Sequence, residues 1–134
     1  MKQISFRLRP GQLLKEEIER IARERRIGAG VLLSLVGGVR TAVLRMAGAT
    51  PDAQIVRTIA GPLEIVSGTG TIAADGCHIH VSLSDKDGAV IGGHLKDGCV
   101  VDTTAEVVFG IFDDVVYRRI HDEATGFPEF HVTS

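Results

Sequence analysis

Apolar and polar residues alternate along much of the chain, a pattern typical of half-buried β-strands. In residues 3–9, Ile4, Phe6 and Leu8 share one face of such a strand. Further runs predict strands at 31–37, 39–46, 54–60, 63–73, 77–84, 89–95, 99–109 and 114–120. The run at 31–37 is apolar on both faces, so it requires cover from the helix, a second sheet or another subunit.

A single segment, residues 12–26, has helical periodicity instead. Its apolar stripe consists of Leu14, Ile18, Ile21 and Ala22. Acidic residues come early and arginines late, which suits the helix dipole, and Gly28 is expected to end the helix. One helix among many short strands predicts an α+β domain, in which a curved, mostly antiparallel sheet or barrel-like sandwich carries one main helix.

Length and composition bound the class of protein. A chain of 134 residues with 44% hydrophobic content predicts one domain, residues 1–134, with its own core. The net charge of −2 disfavours direct binding to nucleic-acid phosphates. No window approaches the ~18 apolar residues of a membrane span, and no signal-peptide pattern is present, so we expect a cytoplasmic protein without membrane partners. Cys77 and Cys99 form no C-x-x-C pair and are expected to be buried thiols.

The clearest chemical signal lies in residues 77–95, CHIHVSLSDKDGAVIGGHL. His78 and His80 share the polar face of one strand, with Cα atoms roughly 6.5–7 Å apart. If Lys86-Asp87-Gly88 forms a three-residue hairpin loop with glycine in the left-handed position, His80 lies opposite His94. A two-residue loop would instead turn His94 to the other face.

Three imidazoles converging from adjacent strands suit a divalent metal ion. Three neutral imidazoles with an open fourth position form the arrangement of catalytic zinc sites. Such a metal lowers the pKa of a bound water to about 7, or polarises a carbonyl oxygen. The alternative is a polar strand face on which the histidines are hydrogen-bonded to Ser82 and to one another.

The same residues carry a resemblance to the PPC (plants and prokaryotes conserved) domain family. The strings that resemble the family's signature are H-I-H-V-S-L-S-D-x-x-G-x-V-x-G-G-H-L at 78–95, R-L-R-P-G-Q-x-L at 7–14, G-P-L-E-I-V-S at 61–67, T-A-E-V-V at 104–108 and T-G-F at 125–127. The resemblance implies a homotrimeric α+β domain with a fold similar to acetolactate decarboxylase, which holds zinc with three histidines. It also implies a metal site, zinc above all, at His78, His80 and His94, with chemistry on a small carbonyl compound.

The resemblance also supplies an alternative function. Plant members bind AT-rich DNA through AT-hooks placed before the domain, so a DNA-binding or regulatory role through trimerisation and partner contacts is the second hypothesis. An AT-hook has an R-G-R-P core, and the nearest string here, R-L-R-P at residues 7–10, lacks the glycine.

Four other residues are candidates for the site without a position fixed by the sequence. Glu64 and Glu106 are candidates for a general base beside a metal-bound water. Structural support of the sheet or of the trimer contact is the competing interpretation for both. Arg118 and Arg119 are candidates for binding a substrate anion.

Overall fold

The computed structural model describes residues 1–134, which form one helix and eight strands. In chain order the elements are β1 (Lys2–Leu8), α1 (Leu14–Glu24), β2 (Gly30–Arg45), β3 (Val56–Ala73), β4 (Gly76–Ser84), β5 (Val90–Leu95), β6 (Val100–Ile111), β7 (Val116–His121) and β8 (Pro128–Thr133). No helix is long and apolar enough to cross a membrane.

Six strands form one antiparallel sheet in the order β1-β6-β2-β3-β4-β5. The C-terminal end of β2 also pairs with β5, through Leu44 with Leu95 and Arg45 with His94. This pairing joins β2, β3, β4 and β5 into a closed ring of strands. Strands β7 and β8 form a separate hairpin. The predicted curved, mostly antiparallel, barrel-like fold with one helix is therefore confirmed.

Two strands are longer than predicted. Residues 30–45 form the single strand β2, where two strands were expected, and residues 56–73 likewise form β3. The expected break after Gly37 is a shift in the register of β2 against β6. A Cβ on Gly37 would overlap the backbone of Thr104, so glycine keeps the two strands paired through the shift. The sequence did not distinguish these cases because glycine interrupts the alternation at a bulge and at a turn alike.

The helix packs its predicted stripe into the core. Leu14, Ile18 and Ala22 are at most 1% exposed, within a cluster of 22 buried apolar residues. The prediction that Gly28 ends the helix is wrong, because Arg26 takes the left-handed conformation, with φ of 52°. The N–H of Ile27 donates to the Ala22 carbonyl (2.9 Å), which completes a Schellman turn with arginine where glycine is usual.

Two side chains of the helix bind it to the start of β4 and to the turn between β5 and β6. The carboxylate of Glu19 accepts the backbone N–H of Cys77 (3.2 Å), and Glu16 accepts that of Gly98 (3.1 Å). Cys99 is buried and Cys77 half-buried. Burial, followed by the charge of Glu19, raises the pKa of Cys77 to about 12, so this thiol stays protonated and packs as a small apolar group.

Candidate metal centre

The β4–β5 hairpin positions the three histidines. The N–H of Asp85 donates to the Ala89 carbonyl (2.9 Å), and the N–H of Gly88 donates to the Asp85 carbonyl (3.0 Å). Gly88 has φ of +83°, the left-handed conformation that glycine adopts without steric cost. This is the three-residue loop, and the register that follows from it places His80 opposite His94. The predicted register is confirmed.

The spacing of the imidazoles fits one metal ion. The Nε2 atoms of His78 and His80 are 3.1 Å apart, and one ring nitrogen from each of the three histidines lies within 4.8 Å of the others. Two nitrogens bound to a tetrahedral Zn²⁺ lie about 3.3 Å apart, because each Zn–N bond is about 2.0–2.1 Å. Small side-chain rotations would therefore bring all three nitrogens to bonding distance.

The surroundings keep two of these histidines neutral. Burial, followed by the charge of Arg119, lowers the pKa of His78. Burial, followed by the charge of Arg45, lowers the pKa of His94 to about 3. Neutral imidazole is the form that binds a metal, so His78 and His94 are in the competent protonation state at neutral pH.

Arg45 is in direct contact with one of the candidate ligands. Its Nη2 lies 2.9 Å from Nδ1 of His94. A guanidinium only donates hydrogen bonds, so Nδ1 accepts and the proton of the neutral ring is on Nε2. A metal at Nδ1 would need the lone pair that Arg45 uses, and a metal at Nε2 would place a proton on Nδ1, facing Arg45. In both cases Arg45 would have to leave His94 for a metal to bind there.

A second arginine reaches the centre from the separate hairpin. Arg119, on β7, donates from Nη2 to Oγ1 of Thr71 (2.9 Å), and Thr71 is paired with His78. The guanidinium carbon lies 5.6 Å from the centre of the Phe130 ring. Arg118 is exposed, since neighbouring strand residues point to opposite faces. The structure thus brings only one of the two candidate arginines to the histidines.

His80 and His94 border one depression of about 490 Å³. The cavity of the histidines, which His78 and His94 border, has a volume of about 460 Å³. Its wall includes His78 and His94 and the cations Arg45, Arg119 and Lys96, together with Phe127. The sequence analysis missed Arg45, Lys96 and Phe127. Arg45 could not be recognised because it occupies a polar position in an alternating strand, where solvent exposure is the usual outcome.

The two candidate general bases lie elsewhere in the chain. Glu64 borders a separate depression of about 370 Å³, together with Asp85 and Asp102. Glu106 is exposed on β6, opposite Arg7 on β1. Neither carboxylate lines either of the two cavities that the histidines border, so a role as general base stays a prediction for both.

The comparisons with known proteins agree with this fold. Residues 1–113 match the Plants and Prokaryotes Conserved (PCC) domain, and the chain belongs to this family, to which its sequence strings pointed. It is 40% identical over 132 residues to a bifunctional protein GlmU from Synechococcus sp. (strain JA-2-3B'a(2-13)), covering 98% of this chain and 20% of that protein. The chain thus spans about a fifth of the length of the curated relatives that it matches.

Three solved structures are similar to this chain, two of them over nearly its whole length. A hypothetical protein from Salmonella enterica has a TM-score of 0.92 at 28% identity, with 99% of this chain and 94% of that chain covered. The metal-containing protein AF0104 from Archaeoglobus fulgidus has a TM-score of 0.83 at 32% identity, with 98% and 94% covered. A Staphylococcus aureus protein similar to α-acetolactate decarboxylase has a TM-score of 0.57 at 20% identity, covering 84% and 54%. The predicted likeness to that fold is confirmed.

Proposed function

We propose that the chain binds one divalent metal ion, zinc above all, through His78, His80 and His94, and acts as a metal-dependent enzyme on a small carbonyl compound. The observation that carries this proposal is the convergence of three ring nitrogens within 4.8 Å. Further support comes from the metal-containing Archaeoglobus fulgidus protein, which is 32% identical to this chain. Imidazole ligands suit a non-redox ion such as zinc.

The donor set determines what chemistry the site would support. With three protein ligands, a tetrahedral ion retains one open position for water or substrate. A bound metal would supply a water of lowered pKa or polarise a carbonyl oxygen. The residues of the chain would hold the ion and shape the cavity, with the Phe127 ring covering part of its wall.

Metal content per chain tests this proposal. Protein purified without a metal-affinity tag is expected to contain close to one zinc or similar ion per chain by elemental analysis. Treatment with a chelator should remove the ion, and added zinc should restore it. A protein that retains no metal after incubation with zinc and dialysis would refute the proposal and leave the histidines as polar residues of a strand face.

We also propose that the chain assembles as a homotrimer through the outer face of β2 and β3. Support comes from three exposed apolar side chains on these adjoining strands: Leu33 is 50%, Val36 55% and Val66 58% exposed. Apolar side chains grouped on one sheet face favour burial against another chain. Another copy of this chain is the occupant that the family resemblance implies.

Charged substitutions on this face are expected to dissociate the trimer. The double variant Leu33→Glu/Val36→Glu should elute as a monomer when its mass is measured by light scattering after gel filtration, because a buried unpaired carboxylate is strongly unfavourable. Val90→Glu is the matched control, since Val90 is 60% exposed on β5, outside the proposed contact. A monomeric wild-type protein, or a trimeric double variant, would contradict the proposal.

A DNA-binding or regulatory role is the second candidate function. Two proteins of this fold, from Bacteroides thetaiotaomicron and Ralstonia eutropha, have been named provisionally as DNA-binding proteins. Their sequences are 17% and 19% identical to this chain. That likeness extends to the fold, and the net charge of −2 counts against contacts to phosphates. We expect no DNA binding even at low salt; binding that weakens steeply as salt rises would favour the second role.

A further inference from the structure

Three cations line the cavity of the histidines without forming ion pairs. Arg45, Lys96 and Arg119 all contribute to its wall, and every salt bridge of the chain involves other residues. The charges of Arg45 and Arg119 both act on His78, since each helps to lower the pKa of that imidazole. Partly buried arginines normally find a carboxylate partner, so two without one in the same cavity require an explanation.

The carboxylates that line the cavity do not balance this charge. Glu19 is paired with Lys15 (2.8 Å), and Asp75 accepts the backbone N–H of Arg119 (3.1 Å). A backbone N–H has no net charge, so Asp75 and the exposed Glu129 supply two negative charges against the three cations, which leaves one positive charge in excess. A divalent ion on the histidines would add two positive charges, so the loaded cavity would carry an excess of positive charge and attract anions.

We propose that the ligand of this centre is a small organic oxyanion, a carboxylate or a phosphate, bound by the guanidinium groups of Arg119 and Arg45 beside the metal. This inference rests on the proposed function, because it takes the three histidines to hold the ion. The planar guanidinium offers paired donors that match two oxygens of one such group. The cavity, at about 460 Å³, has the size of a small-molecule site.

Arg119 is held ready for such a ligand. One of its nitrogens donates to Thr71 (2.9 Å) and the guanidinium lies against Phe130. These contacts fix the side chain beside His78 while most of its five N–H donors have no acceptor. A guanidinium ordered before binding loses less conformational entropy when the anion arrives.

Metal binding would make Arg45 available to the same ligand. Arg45 must leave His94 when that ring binds an ion. An ion at Nδ1 would compete with Arg45 for the lone pair, and an ion at Nε2 would leave an N–H at Nδ1 that faces the N–H of Arg45. Its other contact is with the ring of Phe127, whose centre lies 5.1 Å from the guanidinium carbon. An anion would provide the acceptor that Arg45 loses, so ion and anion are expected to bind with positive coupling.

Cobalt(II)-loaded protein allows the two binding events to be measured separately. Uptake of Co²⁺ reports the metal site, and a change in its visible absorption bands reports a ligand beside it. We expect pyruvate or inorganic phosphate to change the spectrum saturably, and pyruvamide, which has the shape of pyruvate without its charge, to bind at least tenfold more weakly. A preference for pyruvate assigns the carboxylate, and a preference for phosphate assigns the phosphate.

Arginine variants then identify the groups that bind the anion. Arg119→Gln should take up Co²⁺ normally but bind the anion at least tenfold more weakly, and Arg119→Lys should recover part of the loss. Arg45→Gln should weaken binding of the anion, because it removes one guanidinium. It should also tighten Co²⁺ binding, because it removes the competitor at His94. Arg118→Gln, which removes the same charge from an exposed position of β7, is the control and should match the wild type.

The two proposals fail in different ways. Normal uptake of Co²⁺ with equal binding of pyruvate and pyruvamide, or an Arg119→Gln variant with wild-type affinity for the anion, would overturn this inference and leave the metal site standing. If the wild-type protein takes up no Co²⁺, the proposed function itself is wrong, and this inference is wrong with it.

Discussion

Replacing His80 by alanine is expected to abolish stoichiometric metal binding. His80 supplies one of the three ring nitrogens, and its Nε2 lies 3.1 Å from that of His78. Losing a residue that only orients a ligand weakens metal binding by about 10–100-fold, so the loss of a ligand itself should weaken it by at least about 100-fold. After dialysis against metal-free buffer, the variant should contain almost no zinc by elemental analysis.

The fold should survive this substitution. The His80 side chain is exposed, and substitutions at such positions usually change the free energy of unfolding by about 0.5 kcal/mol or less. A metal-free variant with an unchanged circular dichroism spectrum would therefore report the site alone. His131→Ala, which removes an exposed histidine from β8, is the control and should keep its ion. An His80→Ala variant that retains one ion per chain would show that the site is elsewhere.

The register that brings the histidines together could be predicted because it depends on local turn chemistry. Gly88 sits where a three-residue loop needs a left-handed residue, and the alternation along β4 puts His78 and His80 on one face. Once the loop is known, the position of His94 follows by counting along the partner strand. The candidate ligands were therefore accessible from a stretch of fewer than twenty residues.

The cationic surroundings of the site could not be predicted, because they come from distant parts of the chain. Arg45 meets His94 only where the end of β2 pairs with β5, a contact that closes the ring of strands. Arg119 arrives on a hairpin outside the main sheet, and Thr71 holds its guanidinium beside His78. Neither contact leaves a periodic or turn signal in the sequence, since each depends on how the sheet curves.

The sequence pattern did not show what a glycine within a strand does, and Gly70 allows one such role to be tested. A glycine in a strand interior often marks a close approach of two backbones. Gly70 is paired with Ile79 on β4, the residue between His78 and His80. A Cβ at this position would overlap the carbonyl oxygen of His78 and lie 2.8 Å from the Cα of Ile79. Both obstacles are backbone, which cannot rotate away as a flexible side chain can.

Gly70→Ala is therefore expected to destabilise the protein and to disturb the metal site at the same time. Inserting a methyl group into a well-packed region costs about 1–3 kcal/mol and occasionally more, and we expect about 3 kcal/mol here because β3 and β4 would have to separate. Urea unfolding of the metal-free protein, at one protein concentration, measures this loss. Metal affinity should fall as well, since the displaced segment of β4 carries two of the three ligands.

Gly28→Ala is the matched control for this substitution. A Cβ on Gly28 would meet only a methyl group of Val116, at 3.9 Å, which is an ordinary van der Waals distance. The same added methyl group should therefore change the free energy of unfolding by about 0.5 kcal/mol or less. If Gly70→Ala proved as stable as Gly28→Ala and bound zinc equally well, the close approach of β3 to β4 would not be what holds His78 and His80 in place. A large difference between the two variants would instead identify Gly70, which binds nothing itself, as a residue on which the geometry of the three histidines depends.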